Sequence, residues 1–409
     1  MNTEQFTSVL SACATIITVV NIAGYLAQRV GQPRVVGEMI AGILLGPSLL
    51  GSLLPGIYDY LFNNSIREVL FFLGNLGLCL YMFVAGMKLD TSFFNKKAVQ
   101  DFSWIALVSL LVPILAGYGF GKYFGSQLMA PGIDPNFFAL ISGIALAVTA
   151  LPMLVRILDE KKLLQTRLGV IAVFTASLED IVVSILLSIC FAIYLSEDQY
   201  KMIKSLLGIS GIISFMFFIC RPFFKRMNMR MKDRRNTHFI LSFILVFFFL
   251  VLFLSERVGF TPIIASFLFG LCMPRKSELS YILSDKLSSL TPVFLLPVFF
   301  AYTGINTHFQ LLFTSSTLFM LMGFVLIGFA SKFISVLTLL RLRNFTFGEA
   351  CKASALLNSR GVMGLFIANL ALQKGIINAA FFTIIVVSSI ISTMLTNPLY
   401  AWGERREKN

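Results

Sequence analysis

Along its length the chain alternates long apolar stretches with short polar, glycine- or proline-bearing ones. Thirteen apolar segments result: 6–28, 35–53, 66–87, 102–124, 136–158, 168–195, 202–221, 237–255, 260–274, 287–304, 313–340, 348–372 and 379–401. Most approach the roughly 20 residues that carry an α-helix across a hydrocarbon core about 30 Å thick. The longest polar interval is 221–236, so no appended soluble domain is expected. The pattern predicts an all-α polytopic membrane protein of about 13 transmembrane helices.

Composition supports this. The 409 residues are 57% hydrophobic and 13% charged, with 42 Phe, whereas soluble domains carry roughly 25% charged residues. Such a chain lacks the charge to cover a water-facing surface. Its net charge of +13 would elsewhere suggest a nucleic-acid partner, but that needs a polar basic face, which is absent outside short loops. The basic residues instead report topology, because cytoplasmic loops are enriched in them. With the N-terminus outside and the C-terminus inside, 25 of the 33 Lys and Arg fall in cytoplasmic segments and 6 in outer ones. The two left over, Lys332 and Arg360, lie inside predicted helices. The N-terminal stretch lacks the basic start and cleavage site of a secretory signal and is kept as the first span. The six cysteines sit singly in apolar surroundings and read as small buried hydrophobes.

The two halves echo one another. Arg29-Val30-Gly31 returns as Arg257-Val258-Gly259, Ile40-Ala41 with Gly46 as Ile264-Ala265 with Gly270, and Leu89–Phe93 as Ile305–Phe309. The offsets of 228, 224 and 216 residues place helix 1 on helix 8, and an odd shift inverts the second copy in the membrane. The domains expected are a first repeat over 1–195, a linking helix and basic loop over 196–236, and a second repeat over 237–409. Inverted repeats characterise secondary transporters, whose sites lie where interrupted helices meet near the midplane. Matching interruptions occur in helices 5 and 12. Pro152 sits in mid-span, where its ring removes a backbone hydrogen bond and opens the turn near Val148. Asn358, Ser359, Arg360 and Gly361 interrupt helix 12.

Four ionisable groups share that depth. Glu179 and Asp180 lie about 11 residues into helix 6, some 15 Å along its axis, and Lys332 and Arg360 are similarly deep. Lipid exposure would cost each several kcal/mol, so they are expected to face one another or a wet cavity. Adjacent helical positions point about 100° apart, so Glu179 and Asp180 cannot serve one partner equally; one pairs with Lys332 and the other faces a cavity. A buried carboxylate can be neutralised by a proton or by a small cation, and each excludes the other. That competition is the minimum chemistry of an antiporter, with Thr149 and unwound carbonyls available to complete a cation's shell. Two alternatives stand beside it: a sodium-coupled symporter of an organic solute on the same plan, and a purely structural ion cluster. An intramembrane hydrolase would need a nucleophile–base pair or metal ligands at one depth, and the two histidines, His238 and His308, lie away from the carboxylates.

These residues resemble the monovalent cation:proton antiporter-2 family, including its plant cation/H+ exchanger-like members and their bacterial relatives. The resemblance spans nearly the whole chain. It rests on the block Val30–Pro33 with Val36–Pro47, on Thr149-Ala150-Leu151-Pro152 followed by Arg156-Ile157-Leu158, on the acidic pair, on Lys332, and on Asn358-Ser359-Arg360-Gly361. It implies that Asp180 binds transported sodium or potassium and the proton in turn, with Glu179 beside it and Lys332 as charge partner. Thr149, Pro152, Asn358, Ser359 and Arg360 fall in two crossing broken helices of a sodium/proton antiporter fold. It also implies a homodimer in the plasma or bacterial inner membrane, a moving core over 102–195 and 313–401, and no cofactor beyond the transported ions. In relatives, paired Asp goes with electrogenic exchange and Asn-Asp with electroneutral exchange; Glu179 matches neither. The ligand-gating nucleotide domain of potassium-efflux relatives is not expected.

Overall fold

The structure, a computed structural model, describes residues 3–89, 96–194, 199–229, 237–274, 277–305 and 314–408. All elements among these residues are helical. α1 (Thr3–Arg29) and α2 (Arg34–Leu44) are followed by the short α3 (Leu50–Leu53) and α4 (Pro55–Leu61), then by the long α5 (Asn64–Lys88) and α6 (Lys96–Leu128). The fifth apolar segment forms two helices, α7 (Pro135–Ala147) and α8 (Leu151–Glu160), before α9 (Arg167–Tyr194). α10 (Gln199–Ser214) passes through a π-helical stretch, Phe215–Cys220, into α11 (Arg221–Met229). α12 (Thr237–Arg257), α13 (Pro262–Leu271) and α14 (Glu278–Leu290) follow, the last continuing through π-helical Thr291–Leu295 into α15 (Leu296–Ile305). α16 (Ser315–Leu342), α17 (Phe347–Leu357), α18 (Val362–Gln373) and α19 (Ala379–Lys408) complete the order.

Among the described residues, ten helical spans are long and apolar enough to cross a membrane, which makes this an integral membrane protein. Of the thirteen expected segments, those at 35–53, 260–274 and 348–372 form shorter helices instead. α2 stops at Leu44 because Gly46 and Pro47 cannot continue it. Two other boundaries move outward. α14 begins at Glu278, where the Ser277 hydroxyl caps the amide of Ser280 at 3.1 Å, and the expected polar loop at 221–236 is helical through Met229. The rest of that loop, the match of Leu89–Phe93 to Ile305–Phe309 beyond its first residues, and His308 lie outside the described residues. All six cysteines are buried and unbridged.

The chain divides into two compact units, one of Met1–Arg67, Asp90–Val183 and Phe300–Asn409, the other of Glu68–Leu89 and Ser184–Phe299. Each holds one member of a matched pair of glycine contacts. In the first, α2 meets α15 so closely that a Cβ on Gly304 would lie 2.3 Å from the carbonyl carbon of Gly42. In the second, α13 meets α5, and a Cβ on Gly270 would lie 2.2 Å from the Phe83 carbonyl oxygen. The repeat is also visible in the turns. Gly31 and Gly259 both adopt φ of 75°, a conformation open to glycine at helix C-termini. Each turn is closed by the same bond, Gln32 N–H to Ala27 O and Phe260 N–H to Ser255 O, both 2.9 Å.

Burial identifies the centre. In the most apolar window of Pro135–Glu160, 94% of residues are buried, against 22% for Leu206–Arg226. The broken segment is therefore enclosed by protein, which is where irregular backbone at membrane depth is tolerated.

Candidate functional site

Local sequence makes both breaks. α7 starts cleanly, with Pro135 in its first turn and the Asp134 carboxylate accepting from the amides of Asn136 and Phe137 at 2.8 and 2.9 Å. It ends at Ala147, where Val148 turns extended with ψ of 130°, and α8 restarts at Leu151 with Pro152 in its first turn. The opening thus falls near Val148, where the position of Pro152 puts it. α17 starts on a capping box between Thr346 and Glu349 and ends at Leu357. After Asn358–Gly361 the chain restarts as α18.

The breaks meet through the backbone groups they release. The amide of Ala150 donates to Ser359 O at 3.0 Å, and the Thr149 hydroxyl donates to Leu357 O at 2.7 Å. α19 supports the second break: the Thr393 hydroxyl accepts from the amide of Arg360 at 3.1 Å and donates to its carbonyl at 2.6 Å.

Glu179 and Lys332 are wholly buried and paired, Nζ to Oε2 at 2.8 Å. The Lys332 ammonium also donates to Ala147 O and to the Thr149 hydroxyl, both at 2.5 Å. Its three hydrogens therefore have three acceptors, two of them supplied by the first break. Glu179 is equally well held: Oε2 also accepts from the Thr149 amide at 3.3 Å, and Oε1 accepts from the Ser109 hydroxyl of α6. Asp180, one residue on along α9, is fully buried within the fields of Glu179 and Lys332.

Arg360 is 2% exposed. None of its three guanidinium nitrogens has a hydrogen-bond partner among the described residues, and Glu179 is the carboxylate that acts on it electrostatically. Its tip lies in a notch at Gly328, where a Cβ would come within 2.7 Å of Nη1. Gly328 is one turn before Lys332 on α16. The Oδ1 of Asn358 is likewise buried without a partner, while its Nδ2 donates to Ser354 O at 3.1 Å. The Ser359 hydroxyl turns back to Leu356 O at 2.8 Å.

The structure thus gathers Glu179, Lys332 and Thr149 into one hydrogen-bonded group, sets Asp180 beside it, and places Pro152, Asn358, Ser359 and Arg360 at the breaks. Sequence reading missed Ser109, a lone hydroxyl in an apolar helix with no signal of its own. It also passed over a second charged group. Glu38, buried in α2, accepts from Arg34 Nε at 3.0 Å and from Arg156 Nη2 at 3.3 Å. Arg156 also faces Glu160 at 3.5 Å, Glu160 accepts the amide of Arg34 at 3.0 Å, and Arg34 reaches Asn21. The signal was present, since Glu38 is a carboxylate flanked by apolar residues on both sides.

A helical membrane protein in which two interrupted helices join around buried, opposed charges belongs to the class of polytopic carriers with crossed broken helices. The chain belongs to the sodium/hydrogen exchanger transmembrane family, whose model matches residues 15–402. It is 33% identical over 402 residues to the Na(+)/H(+) antiporter NhaS4 of Synechocystis sp., covering 98% of each chain. It is 28% identical over 390 residues to Cation/H(+) antiporter 19 of Arabidopsis thaliana, covering 94% of this chain and 48% of that one. The sodium proton antiporter MjNhaP1 from Methanocaldococcus jannaschii shares the fold, with a TM-score of 0.72 over 99% of this chain and 97% of that one at 13% identity.

Proposed function

We propose that the protein exchanges a monovalent cation, sodium or potassium, for protons across the membrane by alternating access, with Asp180 as the group that carries each in turn. The observation behind this reading is a fully buried carboxylate at the junction of two broken helices, next to a second carboxylate already neutralised by Lys332. A proton and a monovalent cation compete for such a carboxylate, and the binding of one expels the other. A carrier that crosses between the two faces only with a proton or a cation on Asp180 exchanges one cargo for the other.

The remaining features support the same assignment. The freed backbone of both breaks supplies oxygen atoms inside the protein, and the distribution of Lys and Arg favours an N-terminus outside and a C-terminus in the cytoplasm. The family resemblance favours a homodimer in the plasma or bacterial inner membrane. The test is cation-driven proton release in proteoliposomes carrying a pH dye. Sodium or potassium added outside dissipates an imposed pH gradient with the wild type and fails to do so with Asp180→Asn. Undiminished exchange in that variant would sink the reading.

A further inference from the structure

We infer that Glu179 is a fixed counter-charge rather than a second carrier, so that each cycle exchanges one proton for one monovalent cation and moves no net charge. This rests on the exchange proposed at Asp180 and goes beyond it to the stoichiometry.

The argument is a count of hydrogens and acceptors. Oε2 of Glu179 faces two groups that can only donate, the Lys332 ammonium and the Thr149 amide; a hydrogen on Oε1 would have to turn the Ser109 hydroxyl over to Ala106 O and would strip the buried ammonium of its counter-charge. A cation at Glu179 would have to displace that ammonium from a bond of 2.8 Å. Lys332, for its part, has an acceptor for every hydrogen, at Ala147 O, Thr149 Oγ1 and Glu179 Oε2. Loss of a proton from Lys332 would break one of these bonds and leave Glu179 without its counter-charge. Arg360 does not deprotonate in proteins. Three of the four buried charges at this site are therefore constant, and only Asp180 changes.

With Asp180 ionised, the two carboxylates and two cations sum to zero. With a proton on Asp180, or with a monovalent cation bound to it, the sum is +1 in either case. The loaded states that cross in opposite directions carry equal charge. The membrane potential then does equal and opposite work on them and drops out of the cycle.

The full-length protein in proteoliposomes decides this with sodium as the probe and, in separate vesicles, potassium. The potential is held at zero by tetraphenylphosphonium at equal concentration on both sides. A tenfold proton gradient is imposed, and the cation gradient that brings net flux to zero is found. One-for-one exchange places the null at about tenfold, and two protons per cation place it at about a hundredfold. A null near a hundredfold overturns the inference. So does a null that falls from a hundredfold to tenfold in Glu179→Gln, since that would identify Glu179 as the second carrier. Where Glu179→Gln is too unstable to reconstitute, the wild-type null decides alone. Proton release by the detergent-solubilised protein gives an independent count: about one proton per chain at saturating cation supports the inference, and about two overturns it. No exchange with either cation, or full exchange by Asp180→Asn, would instead remove the carrier reading.

Discussion

Two groups of buried charges can be set side by side in this protein. Around Glu38, the acids and bases alternate in a closed figure: Arg34 and Glu38 are one turn apart on α2, Arg156 and Glu160 one turn apart on α8. Each of the two arginines touches both carboxylates. Spacing of i and i+4 puts side chains on one helix face, so two such pairs on facing helices close into a ring. At the breaks the acids are adjacent in sequence, and adjacent residues diverge by about 100° around a helix. Glu179 closes on Lys332, Ser109 and Thr149, and Asp180 lies one residue on, fully buried. The difference teaches that burial and charge alone do not make a carrier. Around Glu38 each carboxylate is shared between two arginines, whereas at the breaks Lys332 is bonded to Glu179 and the carrier role proposed above falls to Asp180.

The sharpest way to break this comparison is to neutralise one acid in each group. Asp180→Asn is expected to lower proteoliposome exchange to the level of protein-free vesicles while the protein still purifies folded. Glu38→Gln is expected to keep exchange in proportion to the folded protein recovered, and to lose stability by roughly 1–3 kcal/mol, because Arg34 and Arg156 are left sharing the carboxylate of Glu160 alone. Thermal unfolding in detergent measures the second effect. If Glu38→Gln also abolished exchange in fully folded protein, the ring would belong to the transport machinery and the distinction would fall.

Within the group at the breaks, the same logic separates the held acid from its neighbour. Glu179→Gln and Lys332→Gln each leave a buried charge unpaired, at a cost of roughly 3–5 kcal/mol, whereas the double variant is expected to be more stable than either single one. Melting curves of the four proteins test this as a double-mutant cycle. Strictly additive losses would mean that the 2.8 Å contact contributes no coupling.

Ser109→Ala is the next smaller step. It removes one hydroxyl from Glu179 while Lys332 and the Thr149 amide remain, and a hydrogen bond to a charged group contributes about 1.5–3 kcal/mol. The protein should melt lower by an amount in that range and still exchange. A Ser109→Ala protein as stable as the wild type would show that two donors suffice to hold Glu179.

How much of this could be read beforehand depends on whether the physics was local. The apolar segments each fall on helical chain, because the length of an apolar run is a local property, but where a segment breaks or stops short is set by its glycines, prolines and polar residues. Both breaks fell where the sequence placed them, since a mid-span proline and a run of Asn, Ser, Arg and Gly act on their own turns. Depth put Lys332 beside one of the two adjacent carboxylates, and the family resemblance singled out Glu179. The pairing of Ser109 with Glu179 was not legible, because a single serine in an apolar helix looks the same whether it faces a carboxylate or its own backbone. The ring around Glu38 was hidden for another reason. Charge statistics locate a basic residue such as Arg34 along the membrane normal but not the acid it meets. The glycine contacts of Gly42 with Gly304 and of Gly86 with Gly270 were equally unreadable, since they depend on which helices become neighbours.

A third ion pair serves as the control for both buried groups. Lys352 on α17 meets Glu407 near the end of α19, and the side chain of Glu407 is 38% exposed. The Lys352 side chain is 13% exposed, so this is a partly exposed pair, and holding two long side chains together costs rotamer entropy; such a pair contributes about 1 kcal/mol, the upper end for surface pairs. Lys352→Gln is therefore expected to shift the melting temperature very little, to become indistinguishable from wild type at high salt, and to leave exchange unchanged. The comparison with Glu179→Gln then isolates burial as the variable, since each substitution removes one partner of one Lys–Glu pair. A Lys352→Gln loss as large as that of Glu179→Gln would mean that the cost follows the broken ion pair itself, and the contrast between the ring around Glu38 and the pair at the breaks would have to rest on the exchange measurements alone.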